Sequence, residues 1–278
     1  MPPQNDAFYR RNHVRIQTLA NKFSSFRDLT YDSIVHWIDL FAFGHGDLAL
    51  KILDNVFYVD QSKILAAYRS THQQLVALHN DLSQVFFAGY GHAGSSAQVM
   101  LYRYKIANQL RNTPIESHFI NMSEIPDLIR KKDPIIMFVD DFIGTGNEAT
   151  TFWTGSENGR TLERPALQDI VPPNAKCYLA VAVAYESGIR KIHQATPIAV
   201  LPWQIFSDQD KVLSAECTKF NTNEKQLIRN YCVRTGCPFV TGYGDTQALV
   251  VFEHNCPNDS LPILWFESTH WRGLFSRR

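Results

Sequence analysis

A chain of 278 residues with 45% hydrophobic content holds enough apolar material for one large domain with an appendage, or for two modest domains. Its 27 Lys and Arg residues balance 27 Asp and Glu, so no global field favours nucleic acid or an anionic membrane, and only a local basic patch stays open. The start MPPQND followed by Arg10, Arg11 and Arg15 is too polar for a signal peptide, and no apolar run of about 18 residues occurs. The expected compartment is therefore the cytoplasm, with no membrane contact. The five cysteines (Cys177, Cys217, Cys232, Cys237, Cys256) are odd in number and contain no CxxC pair, so they read as free thiols and not as a disulfide framework or a zinc site.

Up to about His79 the apolar spacing is helical. Ile34, Val35, Ile38 and Phe41 mark a helix over Tyr31–Phe41 that Thr30 or Asp32 can cap. Gly44-His45-Gly46 interrupts it, Asp47 caps a second helix carrying Leu48, Leu50, Ile52 and Leu53, and a third runs from about Gln61 to Asp81. Residues 1–80 thus form an expected helical subdomain. Three short helices in succession fit either a cap packed on the main domain or a winged-helix-like, DNA-binding relative. A recognition helix needs several basic side chains, however, and Asp47–Asn55 offers only Lys51.

After Leu82 strands alternate with helices. Strands are expected at Val85–Ala88, Ile115–Ile120, Ile135–Val139, Cys177–Tyr185 and Ile198–Leu201, with helices at Ser95–Arg111 and Ile125–Arg130. Runs that are apolar throughout, such as Ile135–Val139, suit parallel strands buried on both faces. This rhythm predicts a doubly wound α/β sheet with its ligand at the carboxyl ends of the strands. Between Thr154 and Pro173 the chain is polar with Gly and Pro, and reads as a mobile loop carrying Arg160 and Arg164. A helix over Asn223–Val233 leads to Gln247–Phe252 and then PNDSLPILW, which make a small C-terminal lobe, giving residues 81–278 as the second expected domain.

The segment from Val139 to Asn147, VDDFIGTGN, carries the chemistry. Gly144 and Gly146 allow bare backbone amides to converge on a phosphate, a helix starting near Asn147 adds partial positive charge, and Thr145 adds a hydroxyl. Adjacent carboxylates at a strand end, Asp140 and Asp141, are costly unless they accept hydrogen bonds, and the two vicinal hydroxyls of a ribose are suitable donors. Upstream, VFFAGYGHAGSS ends a strand in Gly89, Tyr90, Gly91, Gly94, Ser95 and Ser96 and suits a diphosphate. The same stretch also fits the GxGxxG dinucleotide fingerprint, but Asn121 stands where that fingerprint wants an acid, and a dinucleotide fold leaves VDDFIGTGN unused.

A hydrophobic strand, Asp-Asp and a Gly-Thr-Gly turn resemble the phosphoribosyl pyrophosphate (PRPP) signature of type I phosphoribosyltransferases. The resemblance implies a phosphoribosyltransferase-type parallel sheet flanked by helices, with Asp140 and Asp141 on the ribose hydroxyls. Gly144, Thr145, Gly146 and Asn147 would hold the 5-phosphate, and the Gly89–Ser96 segment the pyrophosphate with a ligand-borne Mg²⁺. Many members carry a second Thr after the turn, where this chain has Asn147 and Glu148; Thr150 and Thr151 follow one turn later. Arg103 and Lys105 are candidates for the cation near pyrophosphate.

Together with the helical N-terminal part, the string GYGDTQALVVFEHNCPNDSLPILW makes most of the chain resemble the phosphoribosyltransferase-like proteins of bacterial conflict systems, including those beside retron reverse transcriptases. That resemblance implies an antiphage effector acting on PRPP or a nucleotide, with a retron reverse transcriptase and its non-coding RNA as partners. A non-catalytic PRPP or nucleotide sensor and a nucleotide-salvage transferase are the alternatives.

Overall fold

The computed structural model describes residues 6–27, 29–91, 97–157, 160–161 and 165–277. In chain order it contains α1 (Asp6–Lys22), α2 (Tyr31–Ile38), α3 (Gly46–Asp54), β1 (Phe57–Val59), α4 (Gln61–Leu78), β2 (Val85–Gly89) and α5 (Ala97–Ala107), then 3-10 segments at Pro114–His118 and Met122–Arg130. There follow β3 (Ile135–Val139), β4 (Phe142–Ile143), α6 (Asn147–Thr154), β5 (Ser156–Glu157), β6 (Arg160–Thr161), α7 (Leu167–Ile170), β7 (Lys176–Tyr185) and α8 (Glu186–Ala195). The last elements are β8 (Ala199–Phe206), α9 (Thr222–Arg234), β9 (Val250–Phe252) and α10 (Pro262–Trp265). Among the described residues no helix is long and apolar enough to cross a membrane.

The chain divides into two compact units, Met1–Gln61 with Asp208–Arg278, and Ser62–Ser207. This differs from the expected boundary at residue 80. The N-terminal helices do not close a core by themselves: Ile34, Ile38, Phe41, Leu50 and Ile52 belong to one buried cluster with Phe220, Ile228, Cys232, Ile263 and Trp271. Two indoles from opposite ends of the chain share an acceptor, since Trp37 Nε1 and Trp271 Nε1 both donate to the Ile263 carbonyl, at 2.9 and 3.0 Å. β1 pairs in parallel with β9, Phe57 to Val250 and Val59 to Phe252, which is not the antiparallel wing of a winged helix.

In α3 six of nine residues are buried, and the lone basic side chain is committed elsewhere. Lys51 Nζ reaches both carboxylate oxygens of Glu224 at 2.7 Å and lies over the Phe220 ring. The exposed acids Asp47 and Asp54 are met by Arg11 and Arg15 of α1.

The second unit is built on a parallel sheet in the order β2-β3-β7-β4, with β8 on the other edge of β7. Side chains alternate across it, as strand geometry demands. Phe86, Ala88, Ile136, Phe138, Leu179 and Val181 share a core with Phe152 of α6 and Ile192 of α8. On the other face Phe87 meets His72 of α4 and Tyr104 of α5. Helices thus cover both faces, the α/β arrangement that the continuous apolar runs foretold. The expected strand at Ile115–Ile120 is instead a 3-10 segment, Pro114–His118, entered through a proline, and only Phe119 bridges to Phe87. The expected loop from Thr154 to Pro173 contains the short β5-β6 hairpin and α7.

Candidate functional site

β3 and β4 lie on the same edge of β7 in a single register. Val139 pairs with Ala180 and Phe142 with Val183, so Asp140 and Asp141 are stepped along β7 without an insertion. The Asp140 N–H donates to the Ala180 carbonyl at 3.0 Å, and the Asp141 carbonyl accepts from the N–H groups of Ala182 and Val183, each at 3.1 Å. The acid pair therefore stands on sheet backbone, which holds it more firmly than a loop would.

A phenol braces it further. The Tyr68 hydroxyl, from α4, donates to the Asp140 carbonyl at 3.2 Å, and the Asp140 carboxylate accepts the Asp141 N–H at 2.9 Å. Burial, then the negative charges of Asp141 and Glu148, push the Asp140 carboxyl well above the usual carboxylate range, opposed by the Asp141 N–H. The Tyr68 phenol is likewise raised, first by burial and then by Asp141 and Asp140, while Arg103 of α5 works the other way. Arg103 thus brings positive charge to the corner where the acids stand. Lys105 does not: it pairs with Glu116 at 3.5 Å and lies over the Phe119 ring, beside the edge of β2.

Beyond β4 the turn takes the shape its glycines allow. Gly146 has φ 75°, a left-handed conformation that costs glycine little, and it starts α6 as the residue before Asn147. Among the described residues no acceptor is hydrogen-bonded to the N–H of Gly144, Thr145 or Gly146. The Thr145 hydroxyl oxygen accepts the Asn147 N–H at 3.2 Å, which keeps its own proton for another partner. Thr150 has spent its hydroxyl proton on the Asn147 carbonyl at 3.0 Å, so it does not replace the second threonine of the signature. The arrangement offers unshared donors at a helix start, next to two carboxylates, and that combination can receive a phosphate and a diol at once.

Gly94, Ser95 and Ser96 lie outside the described residues, as does Arg164. Gly89 ends β2 beside Val139 of β3, level with the acid pair, and a methyl group there would come within 2.9 Å of the Ala97 backbone. Glycine at this position lets the start of α5 close on the strand. The Tyr90 hydroxyl donates to the Ala149 carbonyl at 2.7 Å, and its ring packs on Phe138 and Phe152. Gly91 follows it, buried.

A family model described as PRTase-CE matches residues 34–277, nearly the whole chain. The chain belongs to the PRTase-CE family. It is a phosphoribosyltransferase-like protein, with the α/β sheet such a protein requires. No curated protein and no solved structure matched it.

Three residues of this PRTase-CE chain shape the site without standing in the motif. Gly188, in the first turn of α8, packs against the turn so closely that a methyl group on it would lie 2.3 Å from the Gly144 carbonyl oxygen. Lys191, one turn later, donates to Asn147 Oδ1. Tyr68 approaches from α4. None of these was visible in the sequence, because each acts across a tertiary contact. The hint was small, a glycine three residues past the end of a buried strand.

Proposed function

We propose that this protein binds the ribose 5-phosphate part of PRPP or of a nucleotide on the Asp140–Asn147 segment and acts at the ribosyl C1. Asp140 and Asp141 accept hydrogen bonds from the ribose 2- and 3-hydroxyls. The amides of Gly144, Thr145 and Gly146, with the Thr145 hydroxyl and the Asn147 side chain, receive the 5-phosphate. The observation that carries the reading is the junction itself: an acid pair fixed in sheet register, followed two residues on by three backbone N–H groups with no acceptor among the described residues, in a chain that belongs to PRTase-CE.

At C1 the bond to the leaving group breaks with its electron pair departing on pyrophosphate or on the base. An acceptor nitrogen or a water oxygen then forms the new bond and loses a proton. Such an oxocarbenium-like passage asks for positioning and charge more than for a strong acid or base, which suits a site of amides, hydroxyls and carboxylates. A Mg²⁺ carried mainly by the ligand would have the adjacent carboxylates Asp140 and Asp141 as protein groups able to approach it. Bound there, Mg²⁺ would neutralise the leaving pyrophosphate.

We place this activity in the cytoplasm, in a retron-type antiphage effector whose partners are a reverse transcriptase and its non-coding RNA. The likeness of the C-terminal string to conflict-system proteins supports that assignment. The test is to incubate purified protein, alone and with those partners, with PRPP or nucleotides and Mg²⁺, following ligand consumption alongside antiphage protection in cells. Consumption and protection that both vanish in Asp140→Ala and Asp141→Ala bear the proposal out. Tight binding without turnover makes the protein a sensor, base-dependent nucleotide synthesis makes it a salvage transferase, and neither binding nor turnover ends the proposal.

A further inference from the structure

Lys191 occupies an electrostatically awkward place. Its ammonium donates to Oδ1 of Asn147, the first residue of α6, so a full positive charge stands where the helix already presents unpaired N–H groups and the positive end of its dipole. Its partner there is a neutral amide oxygen. Among the described residues no carboxylate forms an ion pair with Lys191, and Glu186, the acid on the same helix, is taken by Arg190 at 3.8 Å. Cations favour helix C-termini, so a lysine at a helix start is a local cost; Glu148, the acid of the same first turn, makes no ion pair with it, and an anion bound between the ammonium and the turn amides would lower that cost. The adjoining amides of Gly144, Thr145 and Gly146, which have no acceptor among the described residues, point to the same requirement.

We infer that Lys191 is a ligand of the 5-phosphate, supplying from α8 the charge that the turn itself lacks. This rests on the reading of the Asp140–Asn147 segment as a ribose-phosphate site and names what that site selects: a phosphate monoester in its dianionic form, in preference to an unphosphorylated nucleoside. Gly188 makes the delivery feasible, because without a side chain it lets the first turn of α8 seat directly on Gly144 and Gly146. Lysine is a point charge on a flexible stem, so it tracks the charge of the phosphate and not its orientation. Affinity for ribose 5-phosphate therefore rises as the second phosphate proton is lost, near pH about 6.

The test is calorimetric titration of the full-length protein with ribose 5-phosphate, on wild type, Lys191→Met and Lys191→Arg, at two salt concentrations. Lys191 is exposed, so neither substitution disturbs the core. The expected result is about tenfold weaker binding for Lys191→Met, as one charge-assisted hydrogen bond implies, with a reduced salt dependence and near-wild-type affinity for Lys191→Arg. Equal affinity and equal salt dependence in wild type and Lys191→Met would overturn the role of Lys191 alone. Failure of the wild type to bind ribose 5-phosphate would overturn the underlying reading of the site as well.

Discussion

Gly188 and Gly144 meet backbone to backbone: a β-carbon on Gly188 would stand 2.3 Å from the Gly144 carbonyl oxygen and 3.1 Å from the Gly146 nitrogen. Neither neighbour is a flexible side chain that could swing aside. Gly188→Ala is therefore expected to push the turn off α8, at a stability cost of about 1–3 kcal/mol from overpacking. Affinity for ribose 5-phosphate should fall at the same time. Chemical denaturation and titration of the same variant check both halves, and an alanine variant with wild-type affinity would show that the turn does not depend on this contact.

The Asp140 carboxyl predicts a distinctive pH profile. Its proton affinity is raised in the folded chain, so between its ordinary value of 3.8 and its folded value the native state holds a proton that the unfolded state has lost. The contribution of this group to stability is then fully present below 3.8 and is lost as the pH rises through the folded value. Asp140→Asn, which retains an acceptor for the Asp141 N–H, should remove that slope and be more stable than wild type at neutral pH while losing ribose binding. Melting temperatures of the two proteins across the acid to neutral range test it. A variant less stable than wild type at every pH would contradict it.

Tyr68 is expected to act as a positioning residue. Tyr68→Phe keeps the buried ring and removes the hydrogen bond to the Asp140 carbonyl, at a cost of about 1 kcal/mol. Because that carbonyl belongs to the acid pair's own backbone, ribose 5-phosphate should bind more weakly in proportion. Denaturation with no loss of stability, or unchanged binding, would remove Tyr68 from the site.

The division of the chain also has a consequence. Residues 1–80 alone should fail to fold, because their core is completed by Phe220, Ile228, Ile263 and Trp271. Within the full chain, Trp271→Ala should cost about 3–5 kcal/mol, as removal of a buried indole usually does. Circular dichroism and amide dispersion of the 1–80 fragment check the first statement, and a cooperative unfolding transition from that fragment would refute it.

How much of this was legible in the sequence depended on how locally each feature is determined. Ile135–Val139 was readable to the residue, since a strand buried on both faces shows an unbroken apolar run that stops at the acids. The start of α6 at Asn147 was equally plain, marked by the glycines before it. β1 was missed, being three residues long and defined by a partner nearly two hundred positions away. α1 falls in the part read as helical but was given no bounds of its own: Asn12, Ile16, Leu19 and Ala20 are buried on one side of an otherwise arginine-rich, polar helix, which dilutes its apolar period. That the Tyr90 hydroxyl reaches the Ala149 carbonyl is a tertiary contact that the glycines around it do not announce. The association of the N-terminal helices with residues 208–278 was not legible, because hydrophobic spacing tells which face of a helix is buried and says nothing of which segment buries it.

Calorimetric titration of PRPP with Mg²⁺ into wild type and into an Asp140→Asn, Asp141→Asn double variant tests the central claim most directly. Saturable binding to the wild type, and none to a double variant that melts at the same temperature or higher, is what an acid pair gripping a ribose diol predicts. A double variant that binds as tightly as wild type, or a folded wild type that binds no PRPP, would contradict it.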